Sequence, residues 1–302
     1  MMEWLGSLPG AAAQGLIWGI MAIGVYITYR ILDIADLTVD GTICTGAAVC
    51  TMMMLSGQSP WLSILCAVIA GAAAGMVTGL LHIVFGIPAI LAGILTQMAL
   101  WSVNLKILGK ANQAISARNT TVLLSQMDIP GALIVLMIAA AACIALLYLF
   151  FGTELGCGIR ATGSNPAMSR AQGINTSFNV VLGLAVSNGL VALSGALLSQ
   201  YQGFADVSMG RGAIVIGLAA VIIGEAVFSR IFQNFALKLV SVSLGAIIYY
   251  IVIQLVLTLG FDANLLKLLS ASVVAIFLVV FYWKSRYFAK PTAKKKEGAK
   301  NA

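Results

Sequence analysis

The sequence predicts an all-α polytopic membrane protein with about nine transmembrane helices, and three observations lead there. Of its 302 residues, 61% are apolar and only 9% charged, against about 25% charged in a soluble domain. Its mean hydropathy is +1.02, which leaves too few polar side chains to cover a surface in water. Gly41 to Leu105 contains no Asp, Glu, Lys or Arg, room for three crossings at about 20 residues each. A soluble enzyme domain, a disordered chain and a secreted disulfide scaffold are excluded.

Taken in order, Trp4–Tyr29 is charge-free and gives the first span. Gly41–Leu105 divides into spans two to four at two turns, Gly57-Gln58-Ser59-Pro60 and Phe85-Gly86-Ile87-Pro88, because Gly and Pro punctuate helices. Gly71, Gly75 and Gly79 in span three form a small-residue ridge suited to close packing inside one subunit. Ile129–Thr153 is span five, Asn175–Tyr201 span six and Gly212–Phe228 a short span seven. Leu239–Phe261 and Leu268–Trp283 are spans eight and nine. The transmembrane domain is thus 1–287, followed by a basic tail over 288–302.

Nine spans put the two ends on opposite sides. Lys284, Arg286, Lys290, Lys294, Lys295, Lys296 and Lys300 crowd the C-terminal stretch, so the positive-inside rule predicts a cytosolic C-terminus and an outside N-terminus. The tail decides this alone. Elsewhere Arg30, Arg160, Arg170, Arg230 and Lys238 inside balance Lys106, Lys110, Arg118, Arg211 and Lys267 outside. No Lys or Arg precedes Arg30, so a signal peptide's basic n-region is missing. The net charge of +7 reflects the tail and anionic lipid rather than nucleic acid. The five cysteines have no metal-ligand spacing and read as free thiols packing as small hydrophobes.

One stretch nearly repeats. Ala35-Asp36-Leu37-Thr38-Val39-Asp40-Gly41 is matched by Ala205-Asp206-Val207-Ser208-Met209-Gly210-Arg211-Gly212. Five spans separate the copies, which places them on opposite faces as an inverted-topology repeat. Each copy then begins a broken or tilted helix, with Thr38 and Ser208 able to cap it.

The polar segment 152–176 is the longest cytosolic loop. Within it Asn165 is an N-cap, Pro166 the first helical position and Gly173 a C-cap, bounding a short helix over Ala167–Gln172. So short a helix cannot bury itself, and a docking partner is expected.

These residues resemble a family. Gly158-Ile159-Arg160-Ala161-Thr162-Gly163-Ser164-Asn165-Pro166, with Ala171-Gln172-Gly173-Ile174, is similar to the coupling-helix loop of bacterial ABC importer permeases of the branched-chain amino acid and ribose type. Asp36-Leu37-Thr38-Val39-Asp40-Gly41 resembles that family's Asp-Leu-Ser-Val-Gly signature, with Asp40 where the family has Gly, and Ile87-Pro88-Ala89-Ile90-Leu91-Ala92 its Ile-Pro-Ala-Phe stretch. The likeness covers most of residues 15–285. Family members usually carry an extra N-terminal helix, whose absence fits nine spans. Gly224-Glu225-Ala226-Val227-Phe228 departs from sugar permeases and looks closer to a branch paired with lipoprotein receptors and aromatic amino acid uptake.

The resemblance implies a bacterial plasma-membrane permease that moves its solute by alternating access. Its implied partners are a second permease chain in a homodimer, a cytosolic ATPase dimer holding ATP and Mg, an extracytoplasmic solute receptor and membrane lipid. Asn165, Pro166, Ala167, Met168, Ser169, Arg170, Ala171, Gln172 and Gly173 would contact the ATPase. Asp36 and Thr38 would order span two near the translocation path. No cofactor is expected on the chain, because its Gly109-Lys110-Ala111 is no P-loop. No nucleophile–base constellation is legible, and His82 reads as a helix-end residue. Polar residues at membrane depth turn inward or toward water; these are Gln97, Asn104, Ser187, Asn188, Gln200 and Gln254. With Asp206 and Ser208 from the repeat, they are the path candidates. The spans carry no Asp, Glu, Lys or Arg away from their ends, which favours ATP drive over a secondary transporter or channel, the rival reading. An amino acid, a ribose-like sugar or nucleoside, or a vitamin would each suit an uncharged polar path, the aromatic amino acid resting on the branch resemblance.

Overall fold

The computed structural model describes residues 2–115, 122–228 and 231–258, with positions 268, 271–272, 274–277 and 279 beyond them. The ninth expected span, except at those few positions, and the basic tail lie outside the described residues. Ten α-helices and one two-stranded ribbon make up the described part. α1 (Met2–Tyr26) runs on through a π turn at Ile27–Ile31, followed by α2 (Val39–Leu55), α3 (Pro60–Ile83), α4 (Ala89–Leu108) and α5 (Ile129–Gly152). Then come α6 (Glu154–Ser164), α7 (Pro166–Ala171), α8 (Thr176–Gln202), α9 (Ala213–Phe228) and α10 (Phe235–Thr258). The helix ends at Leu55/Pro60 and Ile83/Ala89 fall at the two turns read from the sequence.

α1 and α8 are the buried centre, packed antiparallel. Ser187 and Ser194, two turns apart on α8, donate to the Gly24 and Ile17 carbonyls of α1, each at 2.8 Å. Inside a membrane such bonds contribute about 0.6 kcal/mol each, and small side chains let the backbones approach. The Gly71, Gly75 and Gly79 ridge of α3 lies directly on α8, where a Cβ at any of them would collide with Asn188, Leu184 or Val181. The ridge therefore packs within one chain. α2 lies along α8, and α10 packs along α1 and α9 through Leu239, Val242, Ala246 and Tyr249, while α4 and α5 stand at the periphery with exposed apolar faces.

Two expectations need correction. The segment 152–176 is not a loop: α6 fills its first half. Glycines argued for a loop, yet here they admit neighbours. Gly163 abuts the Ile31 carbonyl and Gly156 the backbone at Phe150 and Phe151, so burial overrides the weak helix propensity of Gly. The all-α class holds for the spans, but the end of the bundle opposite α6–α7 is closed by an antiparallel ribbon. In it β1 (Asn112–Ala114) pairs with β2 (Phe204–Asp206), Asn112 opposite Asp206.

Candidate functional site

Among the described residues, six helices are long and apolar enough to cross a membrane, while α2 and α9 are apolar but shorter. At 1.5 Å per residue they reach only about 25 Å, against a hydrocarbon core near 30 Å. Non-helical backbone leads into each, irregular over 33–36 with a turn at 37–38, and a run of turns over 207–212. Residues 33–38 climb from the α6–α7 end, and α2 starts beside Asn188, near the midpoint of α8, where Thr42 meets Asn188. Residues 207–212 descend from the ribbon end to α9, whose second turn packs at Gly217 on Met21 and Val25. The repeated stretches thus enter from opposite ends and meet. They are not surface loops held far apart on opposite faces.

The meeting point is built on Asp40. Its Oδ2 accepts from the Gly212 N–H and its Oδ1 from the Ile214 N–H, both at 2.9 Å. A carboxylate in the first turn of α2 therefore caps α9, satisfying two amides left over at that helix start. Gly212 has φ +86°, a left-handed backbone that glycine reaches without steric cost. The chain can thereby turn its N–H onto Asp40.

Beside this junction lies a cleft of ≈ 370 Å³, lined by Asp40, Gln97, Met98, Trp101, Asn104 and Arg211 among others. Asn104 is 1% exposed, and its Nδ2 donates to the Gly41 carbonyl at 3.2 Å. Its Oδ1 is buried with no partner among the described residues. Arg211 is exposed, and its guanidinium makes no hydrogen bond or ion pair among those residues. Met98 and Trp101 stand exposed at the rim. The cleft therefore offers a carboxylate, a guanidinium, an idle acceptor and an aromatic wall.

Asp36, Thr38 and Asn188 do come together, but not on the cleft. Asp36 Oδ1 accepts from the Thr38 N–H at 2.9 Å and Oδ2 from Asn188 Nδ2 at 2.7 Å. Thr42 Oγ1 donates to Asn188 Oδ1 at 2.7 Å, and the Thr38 and Thr78 hydroxyls lie 2.8 Å apart. All five side chains are buried. This network ties α2, α3 and α8 together and leaves little capacity for a solute. The second copy repeats the turn: Asp206 Oδ1 accepts from the Ser208 N–H at 2.6 Å. There Asp206 also takes a bond from Asn112 Nδ2 at 3.4 Å, and Ser208 is exposed at the ribbon end.

The opposite end carries the short helix. Asn165 Oδ1 accepts from the Met168 N–H at 3.0 Å, Pro166 occupies the first helical position, and Gly173 at φ +80° ends the turn. Of 165–173, only Ser169 is buried, and Met168 is 62% exposed. α6 anchors this element: Asn179 Nδ2 of α8 donates to Thr162 Oγ1 at 3.2 Å, and Arg170 Nε to Thr176 Oγ1 at 3.1 Å.

The path candidates therefore divide into three groups. Gln97 and Asn104 line the cleft; Asp36, Thr38 and Asn188 form the interior network; Asp206 and Ser208 sit at the ribbon end. Ser187 is a packing bond, and Gln200 Oε1 holds the Leu123 N–H at 3.1 Å. Sequence reasoning missed Asp40, Trp101 and Arg211 as site residues. Two signals were present: Asp40 stands where the family signature has Gly, and Arg211 is the extra residue of the second repeat copy.

A family model described as "Branched-chain amino acid transport system / permease component" matches residues 8–282. A tyrosine transport system permease protein of Clostridioides difficile is 40% identical over 268 residues, 88% of each chain. A fructose import permease protein, FruF, of Bifidobacterium longum is 26% identical over 81% of this chain and 69% of its own. The solved structure of PsaBC from Streptococcus pneumoniae in complex with Fab shares the fold, with a TM-score of 0.53 at 17% identity, over 96% of this chain and 97% of that one.

Proposed function

We propose that this chain, which belongs to the branched-chain amino acid transport system permease family, lines the membrane pathway of an importer for a zwitterionic, preferably aromatic, amino acid. Family membership makes it a multi-pass permease subunit of an ABC importer; the solute is our reading. One observation carries it. Arg211, with no protein partner among the described residues, shares a ≈ 370 Å³ cleft with Asp40 and the idle Asn104 Oδ1. A zwitterion supplies a carboxylate for the guanidinium fork. Its ammonium donates to Asn104 Oδ1 and to the free lone pairs of Asp40. Trp101 and Met98 offer the polarizable apolar wall that an aromatic side chain prefers. A neutral sugar would leave Arg211 uncompensated once the cleft closed. The tyrosine permease relative at 40% identity supports the same solute class.

The remaining assignments follow the family. Asn165–Gly173 contact a cytosolic ATPase that holds ATP and Mg, and an extracytoplasmic receptor delivers the solute. A second copy of the chain closes the cleft over exposed Met98 and Trp101. The α6–α7 end and the 288–302 tail are cytosolic, with the N-terminus outside. ATP-driven closure of the ATPases pushes on α7, and the α2–α9 junction changes the side to which the cleft opens.

The test is uptake of labelled tyrosine by the reconstituted complex. Arg211→Ala should lower it roughly 10- to 100-fold, the range for a lost charged hydrogen bond. Full uptake by that variant, or preference for fructose over tyrosine, would overturn the reading. Separately, Ala167→Glu with Ala171→Glu should abolish receptor-stimulated ATP hydrolysis while the chain stays folded and inserted. Unchanged hydrolysis would sink the ATPase contact.

A further inference from the structure

We propose that the trough between α5 and α10 binds one anionic phospholipid, with its phosphodiester held at the α6–α7 end by Arg160 and Lys238. Three adjoining cavities form one track. A basic cavity of ≈ 340 Å³ holds Arg30, Arg160 and Lys238 with Tyr26 and Gln233. Through Arg160 and Phe235 it joins a second of ≈ 430 Å³, walled by Tyr148 and Phe151. Through Tyr148 this continues into an apolar trough of ≈ 470 Å³ along Met137, Ala141, Ile144, Val240 and Leu244. Alanines on facing sides of α5 and α10 leave the trough open, with Leu16 of α1 also lining it.

Length and charge both select the ligand. Met137 to Tyr148 covers roughly 16 Å of α5, about half of a 30 Å hydrocarbon core and so the depth of one leaflet. Arg30 shares its charge with Glu225 at 3.1 Å. Arg160 sits over the Phe235 ring at 5.4 Å, a contact that leaves its N–H edges free. Neither Arg160 nor Lys238 has a carboxylate partner among the described residues. A phosphodiester fits between them, since guanidinium binds phosphate in a fork and ammonium as a point charge. Tyr148, 55% exposed, stands at the seam between basic and apolar parts, as interfacial tyrosines do. An acidic surface of a partner protein would use the basic cavity but would have no use for an apolar trough below it. Val274 packs on the other face of α10, with Tyr249 and Ile253.

The experiment is native mass spectrometry of the purified full chain in detergent, offered equal phosphatidylglycerol and phosphatidylcholine. The wild type should retain phosphatidylglycerol selectively. Arg160→Ala with Lys238→Ala should cut that retention roughly 30-fold, the product of two interfacial cations, and Arg160→Lys with Lys238→Arg should restore most of it. Ala141→Phe, which fills the trough without touching charge, should lower retention as well. Equal retention of both lipids, or no effect of the charge variant, overturns the site. So does loss on the charge variant without loss on Ala141→Phe, which would mean that the basic cavity holds a headgroup while the trough takes no acyl chain. Displacement of the lipid by inorganic phosphate alone would reassign the cavity to a free anion and equally defeat the proposal.

Discussion

The starts of α2 and α9 are built from the same turn in unlike surroundings. In each, an aspartate Oδ1 accepts from the N–H two residues on: Asp36 from Thr38 at 2.9 Å, Asp206 from Ser208 at 2.6 Å. Asp36 is 2% exposed and bonded to Asn188 of α8. Among the described residues, Asp206 is bonded only to its own turn and to Asn112 of the ribbon, and Ser208 is exposed. Local sequence thus determines the turn, while neighbours determine its worth. Buried, the motif fastens three helices; exposed, it is a lip beside the cleft, and the extra residue there, Arg211, supplies the cleft's cation.

Substitution separates the two copies. Asp36→Ala should have the largest effect, because it strands the Thr38 N–H and one of the two Nδ2 N–H bonds of Asn188 in a dry interior, the other being held by the Leu184 carbonyl. Two unmade donors at 1–3 kcal/mol each give a loss of about 4 kcal/mol, read as a large fall in the unfolding temperature of the purified chain. A fall no greater than that of the Asp206 variant would erase the distinction. Asp40→Ala comes next. It removes a helix cap worth about 1 kcal/mol, and hydrogen exchange should quicken at Gly212 and Ile214 while the first turn of α2 stays protected. Uniform quickening across α2 would mean that Asp40 holds its own helix rather than its partner. Asp206→Ala should change stability by less than about 0.5 kcal/mol, as exposed substitutions do, and should leave the Asp36 network intact by amide exchange at Thr38. A loss as large as that from Asp36→Ala would show that the ribbon end is sealed too.

Much of this was legible in the sequence wherever the cause is local. Asn165-Pro166 announced a helix start through cap chemistry, and the Asn165 side chain does accept the expected N–H bond. The Gly71–Gly79 ridge announced a tight neighbour, since nothing else explains three glycines along one helix face. Long-range choices were not legible. Gly156, Gly158 and Gly163 read as loop residues until Ile31 and Asn179 are placed against them. Asn188 and Asn104 are the same residue type at similar depth in an apolar run. Only the approach of Asp36 to one, and the open cleft beside the other, divides structural from candidate path roles. The ribbon was missed because its strands are three residues each and lie far apart in sequence.

The head-to-head meeting of α2 and α9 has an electrical consequence. Each helix start carries roughly half a positive charge, so the two together offset the single carboxylate of Asp40 lodged between them. Arg211 beside the junction then leaves the local sum positive. A sodium ion or hydronium entering there meets repulsion from fixed dipoles that cannot reorient, the device by which some pores bar protons. A net-neutral solute feels no such barrier. If the junction lines the proposed path, sodium flux through vesicles bearing the chain should remain at the lipid baseline.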